Sequence, residues 1–190
     1  MSDKLRVGVA LSGSFCTYGA VLPQIEKMSA LFDLTPIMSD TAYHTDTRFG
    51  KAEDHIKQLE RITGRTVHCT VEQVEPIGPK KLLDVLLVAP ATGNTLAKLA
   101  CGIADGAVTL AVKAHLRNER PVVLAVSTND ALAAAAKNIG QLLNTKNIYF
   151  VPMRQDDPVH KPRSVVADMT RLTDTVLAAA NGQQIQPIFI

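Results

Sequence analysis

The sequence is short of the features that announce a function at once. Cysteine occurs three times, at Cys16, Cys69 and Cys101, and no two of them form a CxxC pair. An odd, scattered set argues against a disulfide framework and a cysteine zinc site, and fits a reducing cytosol. None of the five histidines, His44, His55, His68, His115 and His160, lies four residues from another, which excludes an HExxH-type metal helix, so no metal is expected. No apolar run approaches the ~20 residues that span a bilayer. Met1-Ser2-Asp3-Lys4 leads directly into an apolar strand, so no signal peptide is expected either. An excess of one charge is also lacking. The formal net charge is +2 and the basic residues are scattered, which argues against a nucleic-acid partner. Gly8, Gly13 and Gly19 have the wrong spacing for GxGxxG, and no GxxxxGK[ST] loop exists, so the dinucleotide and ATP fingerprints are missing.

What is present is a globular composition, with 46% hydrophobic residues in a chain of 190. That length suits one domain, residues 1–190, with a substantial core. Strand-like and helix-like segments alternate throughout. Leu5–Leu11, Leu34–Met38, Asp84–Pro90, Pro121–Val126 and Ile148–Val151 read as buried strands, with a short one at Thr66–Cys69. Pro36 favours an edge position for the second strand. Helical spacing predicts helices over Tyr18–Leu31, Ala52–Thr63 (stopped by Gly64), Leu96–Cys101, Ala107–Leu116, Ala131–Leu143 and Ser164–Ala180. Ser39–Gly50 and Arg154–Arg163 read as polar loops. Apolar strands of this kind are covered by helices on both faces. The expected fold is therefore α/β, a three-layer, doubly wound, mostly parallel sheet of Rossmann-like or flavodoxin-like type. Ligands then bind beyond the carboxyl ends of the strands.

Three loops at that edge share one character. They are Ser12-Gly13-Ser14 with Thr17, Thr92-Gly93-Asn94-Thr95, and Ser127-Thr128-Asn129. Each offers small hydroxyl or amide side chains before a predicted helix start, where free N–H groups and the helix dipole favour a phosphate or carboxylate. The same residue types are ordinary N-caps, and the two roles can coexist on one loop. Asp105 reads as a cap for the following helix. Cys16 and Cys101 read as packed small residues.

The run Ala89-Pro90-Ala91-Thr92-Gly93-Asn94-Thr95-Leu96-Ala97-Lys98-Leu99-Ala100-Cys101-Gly102-Ile103-Ala104-Asp105 resembles the APATxNTxAKxAxGxAD signature of the flavoprotein superfamily. That superfamily includes FMN-dependent cysteine decarboxylases and flavin prenyltransferases. The opening strand with Gly13-Ser14 is similar to its first flavin loop. Further segments, among them Thr45–Gly50, Asn118–Leu124, Ser127–Leu132, Thr145–Ile148, Gln155–Pro158 and Gln186–Ile188, resemble one branch, the B subunits of dipicolinate synthase. The resemblance implies FMN as cofactor, held by Gly13, Ser14, Ser39, Thr92, Asn94, Thr95 and Asn129, with Ser12 and Thr41 nearby. It implies a cytoplasmic protein of a sporulating mother cell. Its partner would be the Rossmann-type A subunit of the synthase, carrying NADP, and the pair would oxidise dihydrodipicolinate to dipicolinate. It also implies a homo-oligomer, a trimer or dodecamer.

The decarboxylases of the superfamily carry a histidine about eight residues before the aspartate opening the APAT strand. Here Pro76-Ile77-Gly78 stands there. Their PxMNxxMW segment is replaced by Ala125-Val126-Ser127-Thr128-Asn129-Asp130, which keeps the asparagine alone. Cysteine decarboxylation is therefore not expected. A dicarboxylate wants two cations, and Arg48 and Lys161 are the candidates for substrate binding, with Arg154 and Arg163 beside Lys161. His44 and His160 lie in the candidate loops but are read as exposed. No catalytic residue is assigned. Three roles stay open: a catalytic partner of the A subunit, a supporting component with a vestigial FMN site, and a standalone FMN-dependent enzyme.

Overall fold

The computed structural model describes residues 4–190. Met1-Ser2-Asp3, on which the expectation of no signal peptide partly rests, lies outside the described residues. Continuous apolar runs form the centre of the sheet. β1 (Arg6–Leu11) leads through a short 3-10 turn into α1 (Tyr18–Leu31), which buries Val21, Leu22, Ile25 and Met28 against it. β2 (Asp33–Met38) follows, then α2 (Asp40–His44), α3 (Ala52–Thr63) and the one-turn α4 (Val71–Val74). β3 (Val85–Ala91) is buried at all seven positions. α5 (Gly93–Ala100), α6 (Ala107–Arg117), β4 (Val122–Thr128), α7 (Ala136–Leu143) and β5 (Ile148–Phe150) complete the parallel part. β6 (Met153–Asp157) and β7 (Lys161–Ala167) form an antiparallel hairpin before α8 (Leu172–Ala180).

The sheet order is β2-β1-β3-β4-β7-β6, with β5 also on β4. β1 through β5 run parallel, so the mostly parallel α/β sheet read from the sequence is observed. β2 is the edge strand that Pro36 suggested, extended only by an isolated bridge from Ile37 to His68. Each large side chain sealed between sheet and helices contributes roughly 1.5–3 kcal/mol. The core includes Leu11, Ile25, Leu59, Leu87 and Phe150, all essentially inaccessible to water.

The amino ends of the central strands are tied by charge. Asp84, just before β3, accepts from the Arg6 guanidinium at 2.5 and 3.0 Å, from the Arg6 backbone N–H at 3.0 Å, and from Arg120 at 3.0 Å. The Arg6 hydrogen bond, together with the neighbouring Arg6 and Arg120 charges, lowers the Asp84 pKa to about 2. β1, β3 and the approach to β4 are thereby aligned at the end opposite the polar loops.

Several expectations need correction. The stretch 39–50 is not all loop, because Ser39 caps α2 by accepting from the Ala42 N–H at 3.2 Å. Thr66–Cys69 makes only the single bridge at His68. Ser127 and Thr128 cap no helix. They extend β4, because β7 pairs with them (Ser127 with Val166, Thr128 with Val165), and α7 begins only at Ala136. The charged stretch 154–163 is the hairpin, and Ser164–Ala167 belongs to β7 instead of the last helix. Cys16 and Cys101 are exposed, the latter as the C-cap of α5. No described helix is long and apolar enough to cross a membrane.

Candidate functional site

At the carboxyl edge of the sheet the first loop is fastened to the second, Thr92-Gly93-Asn94-Thr95, by one buried side chain, Ser12. Ser12 Oγ donates to the Pro90 carbonyl at 2.7 Å and accepts from the Thr92 N–H at 3.1 Å. The Ser12 carbonyl accepts from Tyr18 Oη at 3.0 Å and from the Ser14 N–H at 2.8 Å. Burial raises the Tyr18 phenol well above its ordinary value, so it stays a neutral donor. Ser39 N–H, in turn, donates to the Leu11 carbonyl at 2.9 Å. The segments that follow β1, β2 and β3 are therefore joined along one seam, in which Ser12 ties the first to the last. Ser12→Ala strips partners from a carbonyl and an N–H in this seam and should cost about 1–3 kcal/mol. Thermal unfolding should report a fall of roughly 3–10 °C.

Two clefts open on either side of the seam. The larger holds about 680 Å³, within the roughly 300–1,000 Å³ of cofactor sites. Ser39, Asn94, Thr95 and Lys98 line it, along with the starts of α5 and α6. The smaller holds about 350 Å³ and is lined by Ser14, Cys16, Ser127, Asn129, Asp156 and Lys161, among others. Gly13 and Thr92 line both.

The larger cleft is built for an anion. Thr92 caps α5, accepting from the Thr95 N–H at 3.1 Å, while its hydroxyl meets that of Thr95 at 3.0 Å. The N–H groups of Gly93 and Asn94 then have no acceptor within the helix. The Asn94 side chain makes no hydrogen bond among the described residues. Gly106 precedes α6 as its N-cap, and its N–H donates to Thr109 Oγ1 at 3.2 Å. Neither helix carries an acid in its first turn, so neither positive dipole end is neutralised from within its own helix, although Asp40 and Asp105 also line the cleft. Asp105 stands nearby but is engaged by Lys98 at 2.8 Å, which lowers its pKa. Such a donor set suits a phosphate monoester.

The smaller cleft is lined by hydroxyl and amide groups and carries a single ion pair. Ser14 Oγ and Ser127 Oγ lie 2.8 Å apart, and Ser164 Oγ donates to Asn129 Oδ1 at 3.4 Å. Lys161 Nζ donates to Asp156 Oδ2 at 2.9 Å, and that contact raises the lysine pKa. The glycine of the second loop sets how closely the parts approach. A Cβ on Gly93 would sit 2.7 Å from Thr128 Oγ1 and 2.8 Å from Asp130 Oδ1.

Of the residues singled out in the sequence, Gly13, Ser39, Thr92, Asn94 and Thr95 line the larger cleft, and Ser14, Asn129 and Lys161 the smaller. Arg48 lines neither. It sits in the turn closed by the mutual Thr47 and Gly50 backbone hydrogen bonds, with its guanidinium 4.9 Å above the Phe49 ring. The short helix α2, unforeseen in this stretch, takes up chain that a loop would have used to reach the sheet edge. His44 and His160 line neither cleft; His44 meets Asp40, which lines the larger one, and His160 meets Asp157 in the hairpin turn. Sequence reasoning missed Thr70 and Val71, although Thr70-Val71-Glu72-Gln73 is a capping box and so marks a helix start. It also missed Asp156, which no local pattern distinguishes from a turn aspartate.

The Flavoprotein family model matches residues 1–181. The dipicolinate synthase B subunit of Bacillus subtilis (strain 168) is 45% identical over 186 residues, covering 97% of this chain and 93% of that one. The crystal structure of the dipicolinate synthase B subunit from Bacillus halodurans C superimposes with a TM-score of 0.90 and 44% identity, over 99% and 97% of the two chains. The FMN-dependent cysteine decarboxylase SpaF gives a TM-score of 0.65 at 25% identity, over 95% and 98%. This chain therefore belongs to the Flavoprotein family, in the branch of the dipicolinate synthase B subunits.

Proposed function

We propose that the chain acts as the B component of a dipicolinate synthase, with FMN in the larger cleft and a pyridine-type dicarboxylate in the smaller. The observation that carries this reading is the wall common to both clefts, Gly13 and Thr92, which sets a cofactor-sized and a substrate-sized space side by side. Gly13, Ser39, Thr92, Asn94 and Thr95 would hold FMN, the helix starts taking its phosphate. FMN, when bound, supplies a two-electron acceptor. In the smaller cleft Lys161 takes one carboxylate, while Ser14 and Asn129 orient the ring. The oxidation is of dihydrodipicolinate to dipicolinate, with the Rossmann-type A subunit of the synthase, which carries NADP. The working form is a homo-oligomer, a trimer or dodecamer, in the cytoplasm of a sporulating cell. Arg48 has no part in this binding, so Arg48→Met should leave dipicolinate affinity within about twofold of wild type by calorimetry, as for other exposed charges.

A supporting role is the second reading, and one observation favours it. Among the described residues, the only charged side chains lining the smaller cleft, Asp156 and Lys161, are engaged with each other, and no histidine lines either cleft. The visible spectrum and rate assays separate the two. The catalytic reading expects flavin absorbance near ~450 nm after FMN titration, and full oxidation only when the A and B components are combined. A chain that stays colourless with excess FMN overturns the cofactor assignment. Full rate with the A component alone leaves this chain a supporting role, and full rate without the A component makes it a standalone enzyme.

A further inference from the structure

The turn of the β6–β7 hairpin is unusually well fixed. Asp157 Oδ1 accepts from the backbone N–H groups of Val159 at 3.2 Å and His160 at 3.0 Å, and its carboxylate also meets His160 Nδ1 at 3.0 Å. Gln155 Nε2 donates across the hairpin to the Pro162 carbonyl at 3.0 Å. The ladder pairs Asp157 with Lys161, and a register shift lies between Gln155 and Asp157. Asp157 is thereby occupied by the turn, whereas Asp156, inside the irregular step, lines the smaller cleft together with Lys161.

Among the described residues lining that cleft, Asp156 is the only carboxylate and Lys161 the only cation. Their contact is a single 2.9 Å bond between side chains 38% and 55% exposed. A pair that open to water is held weakly, and its partners can be exchanged by rotation of the long lysine stem without moving the backbone. Nothing in the turn itself requires Asp156, because Asp157 alone supplies the acceptors that shape it.

We propose that Asp156 is a resident counter-carboxylate, occupying Lys161 until an incoming substrate carboxylate displaces it. Asp156 is then a specificity-determining residue. It sets the affinity threshold for the cleft, because a ligand must bring a carboxylate able to outcompete one already in place. A dianion replaces it and leaves Lys161 neutralised, while a neutral ring or an amide lacks the charge to do so. This inference rests on the assignment of the smaller cleft to a dicarboxylate.

The test is calorimetric titration of the full-length chain with dipicolinate, with FMN titration of each variant run in parallel. Asp156→Asn keeps the side-chain volume and is expected to bind dipicolinate about fivefold more tightly, the upper range for release of an exposed ion pair. Lys161→Met is expected to bind at least about tenfold more weakly. Pyridine-2-carboxamide should gain nothing from Asp156→Asn. Unchanged or weaker dipicolinate binding by Asp156→Asn, with FMN affinity and unfolding temperature at wild-type values, overturns the counter-carboxylate while leaving the cleft assignment intact. Absence of dipicolinate binding by the wild-type chain removes the cleft assignment, and this inference with it. Far-ultraviolet circular dichroism confirms that each variant is folded.

Discussion

Gly93→Ala is expected to lower the unfolding temperature by roughly 3–10 °C and to weaken FMN binding by at least about tenfold. The added methyl would lie 2.7 Å from Thr128 Oγ1 and 2.8 Å from Asp130 Oδ1. Neither atom can retreat easily. Both belong to short side chains, and they are bonded to each other at 2.5 Å. Overpacking of this kind costs about 1–3 kcal/mol, which sets the temperature shift for a chain of this size. Relief comes most directly by shifting the start of α5, and that start places Asn94 and Thr95 on the larger cleft. Stability and affinity should therefore fall together. Gly19→Ala is the control. Gly19 is in α1 with open space around its missing Cβ, so alanine there should add about 0.5–1 kcal/mol and leave FMN binding alone. Wild-type FMN affinity in Gly93→Ala would separate α5 from the cofactor.

Asp84→Ala should destabilise the chain by about 2–3 kcal/mol, since it removes the carboxylate between two guanidiniums, Arg6 and Arg120, in a partly buried cluster. Asp84→Asn should cost less, because an amide still accepts hydrogen bonds. The pH dependence has a definite sign. The folded-state pKa, about 2, is below the ordinary 3.8. The contribution of ionised Asp84 is thus fully present above pH 3.8 and is lost as pH falls through about 2. Screening at this partly exposed site holds it to the order of 1–2 kcal/mol. Urea unfolding at a series of pH values between about 4 and 2 should show this loss in wild type and not in Asp84→Asn. Parallel curves for the two proteins would refute the assignment.

The parallel core could be read from the sequence because its signals are local. Tyr18–Leu31 and Ala52–Thr63 carry uninterrupted helical spacing, and Gly64, at φ 67°, ends the second helix as its type suggests. Asp84–Pro90 could only be a buried strand. The hairpin could not be read in this way. Arg154, Gln155, Lys161, Pro162 and Arg163 are exposed, so no apolar alternation marks β6 or the start of β7. The apparent helical series Val165, Met169, Leu172, Val176 begins in a strand, crosses a 3-10 turn and ends in α8. Its spacing is a coincidence of three elements that bury residues against one core. The site divided along the same line. Gly13, Thr92, Asn94 and Thr95, which line the larger cleft, stand in loops that cap chemistry marks in the sequence. Asp156 depends on a tertiary pairing, and Arg48 was misplaced because an isolated guanidinium carries no information about where its loop goes.

β4 has β3 along one edge, and its other edge is divided: β5 takes the first half, through Val122 to Leu124, and β7 the end, through Ser127 and Thr128. The hairpin is therefore grafted on the sheet by a two-residue ladder beyond the point where the parallel strands have closed. Its root is nonetheless sealed into the common core by Met153, Val165 and Ala167, while its tip, from Arg154 to Arg163, stands outside that core. The two clefts thus have different frames: the larger is walled by loops and helix starts of the parallel unit alone, whereas the smaller takes one side from the antiparallel addition, so a change in the hairpin tip alters one cleft and spares the other.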